Sequence, residues 1–197
     1  MDKGSTEAAD TLLIRSCLAG ERIAFDRLVL RYKDRVFSLC LRLLGDYDDA
    51  NDCAQETFIK VHRALPRFRF ESAFSTWLYR IAVNTCKSSR SSRAFRMKKN
   101  MVSLNGMDAG ARESLEISSG NPHPTPDQEL ERRERERLLQ EAIDALPPDQ
   151  RAVVVLRDVE VLSYDEITGI TGLNLGTVKS KLSRARLKLR GKLEGLL

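Results

Sequence analysis

Apolar residues recur every three or four positions along most of this chain, and this spacing limits the possible folds more than any other feature. It places side chains on one face of an α-helix, whereas a half-buried strand needs strict alternation. Four such blocks precede residue 90: Leu12, Leu13, Ile14, Cys17 and Leu18; Phe25, Leu28, Val29, Tyr32, Val36, Phe37, Leu39, Cys40, Leu43 and Leu44; Ala50, Cys53, Ala54, Thr57, Phe58, Val61 and Leu65; and Phe74, Trp77, Leu78, Ile81, Ala82 and Thr85. Gly45 is placed to end the second block and Asp46 to cap the third. The chain is therefore expected to be all-α.

The helical pattern stops between about residues 98 and 127. The run Asn-Pro-His-Pro-Thr-Pro at residues 121–126 does not suit a helix, because proline lacks the amide donor and restricts the residue before it. We expect residues 98–127 to be a flexible linker. It would join two small helical domains, an N-terminal bundle over residues 8–97 and a C-terminal domain over residues 128–197.

The C-terminal segment carries the pattern of a helix-turn-helix. A charged helix over residues 129–145 is predicted first, and Pro147-Pro148 separates it from the next. Ser163-Tyr164-Asp165-Glu166 matches a capping box, and Thr171-Gly172-Leu173 forms the expected turn before Asn174 caps the last helix. The residues expected to face inward are Leu130, Leu138, Ile143, Leu146, Ile167 and Ile170.

The last helix is predicted to have one apolar and one cationic face. Residues 174–193 contain seven basic residues and no acidic one. This arrangement suits a recognition helix, which needs an apolar side for its scaffold and donors for bases and phosphates. A solvated basic helix explains the periodicity alone equally well. The apolar stripe is Leu175, Val178, Leu182, Ala185 and Leu189, and the residues off it are Thr177, Lys179, Ser180, Lys181, Ser183, Arg184 and Lys188.

Charge is distributed unevenly along the chain. The net charge of +5 weakly favours an anionic partner. Residues 69–99 contain eight basic residues against one acidic residue, whereas residues 43–59 contain five acidic residues and no basic one. Two cationic surfaces and one acidic surface indicate two kinds of partner.

The cysteines and histidines do not form a metal motif. Cys17, Cys40, Cys53 and Cys86 are widely spaced, and His62 and His123 are the two histidines. No zinc spacing can be built from them, and no cofactor motif is present. Buried reduced thiols in a cytoplasmic protein are expected, with a redox-sensing pair as the alternative, since the N-terminus lacks an apolar signal core and no apolar run reaches membrane-spanning length.

The C-terminal motifs resemble region 4 of the extracytoplasmic-function (ECF) sigma factors. The resemblance rests on residues 145–151, 163–167 and 176–186. In that family this helix-turn-helix reads the upstream (−35) promoter element. Lys181 departs from the family, in which arginine is common, and lysine lacks the bidentate geometry of arginine. The implied DNA contacts are Ser163, Asn174, Gly176, Thr177, Lys179, Ser180, Lys181, Arg184 and Arg186.

Residues 48–61 resemble region 2.2 of the same family, the helix that docks on the coiled coil of the RNA polymerase β′ subunit. Asp49, Asp52 and Glu56 are three and four residues apart and therefore share a helix face. A solvated acidic face is the ordinary alternative. The implied polymerase contacts are Asp48, Asp49, Asp52, Gln55, Glu56 and Phe58.

Residues 68–84 resemble regions 2.3 and 2.4, which open DNA and read the downstream (−10) element. Aromatic stacking and cations hold separated strands, and an extruded base is read in a pocket. The resemblance implies that the loop over residues 68–73 forms the pocket. Phe74, Trp77, Leu78 and Ile81 are expected to be core residues because of their helical spacing. The implied DNA contacts are Arg69, Phe70, Glu71, Ser72, Arg80, Asn84, Lys87 and Arg90.

The resemblance covers both helical halves in order, with the linker between them. It implies a non-enzymatic factor that binds the β′ and β subunits of core polymerase and promoter DNA. It also implies control by an anti-sigma factor, often membrane-bound, in a stress or envelope response. A response-regulator activator would need an α/β receiver, and no such pattern precedes residue 129. A nuclease that binds metal through Asp48, Asp49 and Asp52 would need a second carboxylate cluster, and the sequence has none nearby.

Overall fold

A computed structural model describes residues 3–100 and 126–194, with side chains described over 6–92 and, Glu129 excepted, 128–194. The described residues are almost entirely helical, which confirms the all-α prediction. Most of the linker predicted at residues 98–127 lies outside the described residues. The helices are α1 Lys3–Leu18, α2 Arg22–Leu44, α3 Tyr47–Ala64, α4 Phe74–Asn100, α5 Pro126–Asp144, α6 Pro148–Val154, α7 Tyr164–Thr171 and α8 Leu175–Leu193.

Local signals place the end of α2 and the start of α3 where the sequence predicts them. Gly45 adopts a left-handed conformation with φ of 76°, and its N–H donates to the Leu41 carbonyl at 2.7 Å. The Asp46 carboxylate then accepts the N–H of Asp49 at 2.9 Å and caps α3. A single glycine thus ends α2 and allows α3 to turn back against it.

The N-terminal half is a bundle in which α2 packs against α1, α3 and α4. Tyr32, Val36, Leu39, Val61 and Leu78 are among its fully buried side chains. Because α2 lies in the centre, it positions both α3 and α4, which carry the predicted functional residues.

One buried polar cluster ties α1 to this bundle. The carboxylate of Asp10 accepts hydrogen bonds from Arg31 NH1 at 2.7 Å and from the Tyr32 hydroxyl. Burial and this carboxylate raise the pKa of Tyr32. A buried carboxylate needs such partners, because its desolvation is costly. The first helix is therefore held in a defined position.

The C-terminal half is built by α5 to α8. A π-helical turn, Val155–Val159, follows α6 directly. The side chains of Ile167, Ile170, Val178, Leu182 and Ala185 are buried together, which confirms most of the predicted apolar stripe.

Four leucines that the periodicity assigns to apolar faces are exposed, so those assignments are wrong. Leu12 and Leu18 lie on the outer side of α1, and Leu175 is in the first turn of α8. Leu130 lies in the first turns of α5, where ion pairs such as Arg135–Glu131 stabilise the helix locally. For Leu18, Leu130 and Leu175 the periodicity continues past the point where a neighbouring helix covers it, so the pattern overestimates burial near helix ends. Leu12 is instead exposed in the interior of α1, because Leu12, Leu13 and Ile14 are consecutive and cannot all share one helix face.

The two halves pack against each other and share one continuous hydrophobic cluster. Arg151 of α6 is 2% exposed, and its NH1 donates to the Leu43 carbonyl of α2 at 2.9 Å and to Asp144 Oδ1 at 3.1 Å. Farther along, the Tyr79 hydroxyl of α4 donates to Glu160 Oε2 at 2.9 Å. Burial raises the pKa of both the Tyr79 hydroxyl and the Glu160 carboxyl. We call the contact surface between the two halves, which includes the Arg151–Leu43 and Tyr79–Glu160 hydrogen bonds, the interdomain interface.

Candidate functional site

The helix-turn-helix is formed by α7, a short turn and α8. The Ser163 hydroxyl accepts the N–H of Glu166 at 3.2 Å, and the Glu166 carboxylate accepts the N–H of Ser163 at 2.7 Å. Gly172, with φ of 71°, ends α7, and the Asn174 side chain caps α8 by accepting the N–H of Thr177 at 2.8 Å. These caps confirm the predicted boundaries and set the direction of α8.

The outer face of α8 carries a small cationic and polar surface. Lys179, Ser180 and Arg184 are exposed on the side opposite the buried Val178 and Leu182. Donors in the first turns of such a helix can reach base edges and phosphates. We call Lys179, Ser180 and Arg184 the α8 surface.

Two other predicted DNA-contacting cations are paired with carboxylates. Lys181 Nζ lies 3.0 Å from Asp149 Oδ2, and Arg186 NH2 lies 2.5 Å from Asp158 Oδ1. Exposed ion pairs of this kind are worth roughly 0–1 kcal/mol, so a phosphate can replace the carboxylate at little cost. Both residues remain near the α8 surface, but they do not extend freely from it.

An aromatic ring supports the start of α8, a contact that the sequence analysis missed. The guanidinium carbon of Arg157 lies 4.9 Å from the centre of the Tyr164 ring, and Lys179 Nζ lies 5.8 Å from it. Cations over an aromatic face gain electrostatic stabilisation. Arg157 therefore adds a cation close to the predicted DNA-reading residues.

The outward side of α3 carries exposed carboxylates. Asp48, Asp52, Gln55 and Glu56 are exposed, and Glu56 Oε1 lies 2.9 Å from Lys60 Nζ. Two further predicted residues are less accessible: Asp49 is partly buried, and Phe58 packs against the core. We call Asp48, Asp52, Gln55 and Glu56 the α3 acidic surface.

The loop before α4 is an aromatic platform. Phe68 is buried, and its ring centre lies 5.0 Å from that of Trp77 and 4.9 Å from that of Phe70. Phe70 has a positive φ of 57° and is 43% exposed. The predicted neighbours Arg69, Glu71 and Ser72 are also exposed. The loop thus presents one accessible ring beside polar side chains.

A cavity of about 280 Å³ opens between this loop and α1. Phe70, Glu71 and Ser72 line one side, and Glu7, Asp10 and Thr11 of α1 line the other. The sequence predicts the loop side of this cavity but carries no signal for the α1 side. The packing of α1 on the bundle, through Asp10 and through apolar residues such as Ile14, brings its acidic residues there. We call it the loop cavity.

Three of the four predicted residues of α4 share an exposed face. Arg80, Asn84 and Lys87 are spaced by four and three residues and are exposed. Arg90 is partly buried, and its NH1 donates to the Leu43 carbonyl at 3.3 Å beside the interdomain interface. The neighbouring basic residues 93–99 fall outside the described side chains.

No group of three or more His, Cys, Asp and Glu within residues 6–92 and 130–194 is arranged to hold a metal ion. Within the described helices, none is long and apolar enough to cross a membrane.

Comparison with known proteins assigns the family. A model of Sigma-70 region 2 matches residues 28–96, and a model of Sigma-70 region 4 matches residues 136–189. RNA polymerase sigma-H factor of Pseudomonas aeruginosa is 37% identical over 98% of this chain and 97% of its own length. ECF RNA polymerase sigma-E factor of Escherichia coli K12 is 36% identical over 98% of each chain. The chain belongs to the ECF sigma factor family.

Solved structures support the fold of this sigma factor. The structure of CnrH in complex with the cytosolic domain of CnrY has a TM-score of 0.64 and 25% identity, covering 95% of this chain and 98% of that one. The sigma factor RpoE of Bartonella quintana, in complex with the anti-sigma factor NepR, has a TM-score of 0.68 and 24% identity over 86% of this chain and 96% of that one. Both neighbours cover the two helical halves.

The family places the surfaces on two regions. The α3 acidic surface, the loop side of the loop cavity and the exposed face of α4 belong to region 2, and the α8 surface belongs to region 4, while the α1 side of the cavity precedes the residues matched to region 2. The interdomain interface therefore joins region 2 to region 4, and this sigma factor is a transcription initiation factor rather than an enzyme.

Proposed function

We propose that this sigma factor binds RNA polymerase core and directs it to promoters by contacting DNA at two places. The observation that carries the proposal is the separation of one acidic surface on α3 from two cationic surfaces on α4 and α8. An acidic surface suits a basic protein helix, whereas cationic helix faces suit DNA phosphates.

Polymerase binding is assigned to the α3 acidic surface, with the β′ subunit as its partner. Asp52, Gln55 and Glu56 lie on consecutive turns and are exposed, so a partner helix can contact them together. The Glu56–Lys60 pair is at the surface and can be exchanged for a partner cation without a large desolvation cost.

The −10 element is assigned to the loop cavity and the exposed face of α4. Phe70 offers an accessible ring for stacking, and the cavity beside it has space for an extruded base. Arg80 and Lys87 can follow the phosphates of the separated strand.

The −35 element is assigned to the α8 surface. Lys179 and Arg184 can donate to guanine or to phosphate, while Ser180 can bond either. Lys181 and Arg186 can add phosphate contacts when a DNA phosphate replaces their partners Asp149 and Asp158.

DNA binding by both regions requires the interdomain interface to open. Arg90 and Lys87 line a small cavity together with Pro148 and Ala152 of region 4, so region 4 limits access to the end of α4 that carries the partly buried Arg90. The segment over residues 98–127 is long enough to keep the two regions tethered after they separate, and tethering raises the effective concentration of the second reader.

An anti-sigma factor is the proposed regulator. Two structural neighbours are recorded in complexes, one with an anti-sigma factor and one with the cytosolic domain of CnrY. By analogy, we infer that such a partner holds this sigma factor inactive in the cytoplasm, at the inner face of the membrane if the partner is anchored there, until a stress or envelope signal releases it.

Run-off transcription tests the proposal directly. Purified core polymerase is combined with this sigma factor and with fragments of its genome. We expect discrete transcripts that depend on the sigma factor. Absence of specific initiation on every genomic promoter, with no anti-sigma factor present, would contradict the proposed function.

Removing two donors of α8 should selectively weaken upstream recognition. We expect Lys179→Ala combined with Arg184→Ala to reduce binding to upstream-element DNA by roughly tenfold or more, since each base or phosphate contact contributes about 1–3 kcal/mol. Fluorescence anisotropy with holoenzyme measures this change, and core binding should not change.

The matched control for this variant removes two charges from the later turns of α8. Lys188→Ala combined with Lys192→Ala changes the net charge equally but leaves the α8 surface intact. If both variants lose affinity equally, the effect is one of total charge and the assignment of Lys179 and Arg184 is wrong.

A further inference from the structure

Three thiols meet in the core of region 2. Cys40, Cys53 and Cys86 come from α2, α3 and α4, and each is at most 2% exposed. The Cys86 thiol is a hydrogen-bond partner of both Cys40 and Cys53. The packing therefore gathers cysteines that are far apart in the sequence. We call them the thiol cluster.

The cluster is not arranged for a metal. Among residues with described side chains, no set of three ligating groups fits one. What neighbouring thiols can do without a metal is form a disulfide, which needs two sulfurs in close reach and a two-electron oxidant.

Cys86 also borders the interdomain interface. It lines the small cavity between the regions with Lys87 and Arg90 on its own helix and with Pro148 and Ala152 of region 4. While region 4 packs on region 2, which we call the closed arrangement, the Cys86 thiol is covered. Its hydrogen bond with Cys40 and its burial raise the pKa of this thiol. A thiol in this state reacts slowly, because the thiolate is the nucleophile.

Separation of the two regions changes these surroundings. Pro148 and Ala152 leave with region 4, while Lys87 and Arg90 remain beside Cys86 on α4. Solvent access reduces the desolvation that helps to raise the pKa of the Cys86 thiol, and it therefore favours the thiolate. The same movement that frees the partly buried Arg90 therefore also opens the cavity that Cys86 lines.

We propose that Cys86 is a peroxide-reactive site that is protected while region 4 packs on region 2 and becomes reactive when they separate, with Cys53 or Cys40 as the second thiol. This inference depends on the proposed function only in requiring that the two regions separate. It gives the thiol cluster a role as a sensor of the open state.

The chemistry balances with a hydroperoxide as the oxidant. The Cys86 thiolate attacks one peroxide oxygen, the O–O bond breaks, and hydroxide leaves and is protonated to water, so Cys86 becomes a sulfenic acid. The thiolate of Cys53 or Cys40 then attacks that sulfur and displaces hydroxide, which takes up a proton to give a second water. Two thiols lose two electrons, and the peroxide gains them.

The test uses the full chain and hydrogen peroxide. Wild type is compared with Gly45→Ala, in which a Cβ would lie 2.6 Å from the Asp144 carboxylate, so that Asp144 must shift at the interdomain interface, and we expect this to favour opening. Tyr79→Phe, which removes the hydrogen bond to Glu160, is a second and milder opening variant. Small-angle scattering identifies which variants are open, and thiol trapping with peptide mass spectrometry follows each cysteine over time.

We expect Cys86 to oxidise about tenfold faster or more in the open variants, because reaction follows the population of the open form. The product should be a disulfide from Cys86 to Cys53 or Cys40, and Cys86→Ser should abolish it. Cys17 lies in α1, is partly exposed, and is the internal control whose rate should not change.

Equal Cys86 rates in wild type and in a variant shown to be open would overturn the proposal, as would oxidation confined to Cys17. Neither result depends on transcription. Failure of the thiol experiment is therefore distinguishable from failure of the proposed sigma activity.

Discussion

Reversing two charges on the α3 acidic surface is expected to abolish stable binding to RNA polymerase core. The variant combines Asp52→Arg with Glu56→Arg, both exposed and one helical turn apart. It replaces two attractive contacts by two repulsive ones, and close charge pairs at interfaces are worth about 1.5–7 kcal/mol each. We expect affinity to fall by roughly 100-fold or more, which corresponds to about 3 kcal/mol. Surface plasmon resonance with immobilised core measures it.

The control reverses two exposed acids on α2. Asp26→Arg combined with Asp34→Arg changes the total charge equally while leaving α3 intact. Circular dichroism should show that both variants remain helical, since neither pair is buried. If the α3 variant still binds core as wild type does, then α3 is not the docking helix.

Features set by neighbouring residues were predictable from the sequence. Gly45, Asp46, Ser163 and Asn174 each act on a helix end within four residues, so their caps are readable without tertiary information. The exposed faces of α3 and α8 were equally readable, since charge and apolar spacing separate along a helix.

Contacts between distant segments were not predictable. Arg151, Tyr79 and Glu160 are polar, and their burial depends on helices more than 80 residues apart in sequence meeting in space. From helical periodicity alone, polar residues such as these are expected to be exposed to solvent. The interdomain interface and the thiol cluster are both consequences of this packing.

The candidate site was predicted in part for the same reason. The loop side of the loop cavity follows from motif resemblance, whereas Glu7, Asp10 and Thr11 reach the cavity because α1 packs against α2, through the bonds of Asp10 to Tyr32 and Arg31 and through buried Ile14. The assignment of Arg90 to the DNA-facing surface remains a prediction. In the closed arrangement its guanidinium binds the end of α2.

Replacing Arg151 is expected to open the interdomain interface. Its guanidinium bonds to the Leu43 carbonyl of region 2 and to both the carboxylate and the main-chain carbonyl of Asp144. Arg151→Ala removes a buried cation and leaves Asp144 with less compensation, and breaking a buried pair in this way costs about 3–5 kcal/mol. The melting temperature should fall by roughly 10 °C. Small-angle scattering should show a larger radius of gyration, and calorimetry measures the stability.

Because Arg151 also joins α5 to α6 within region 4, loss of stability alone would not establish an interdomain role. Gly45→Ala separates the two effects, since Gly45 lies in region 2 and its added Cβ meets Asp144 across the interface. Both variants should expand the molecule, but Arg151→Ala should weaken region 4 more, because it removes every contact of the Arg151 guanidinium, whereas Gly45→Ala displaces the Asp144 carboxylate alone and adds backbone strain in region 2. If Arg151→Ala lowers the melting temperature but leaves the radius of gyration unchanged, Arg151 stabilises region 4 alone. The closed arrangement would then depend on other contacts, with Tyr79 and Glu160 the next pair to test.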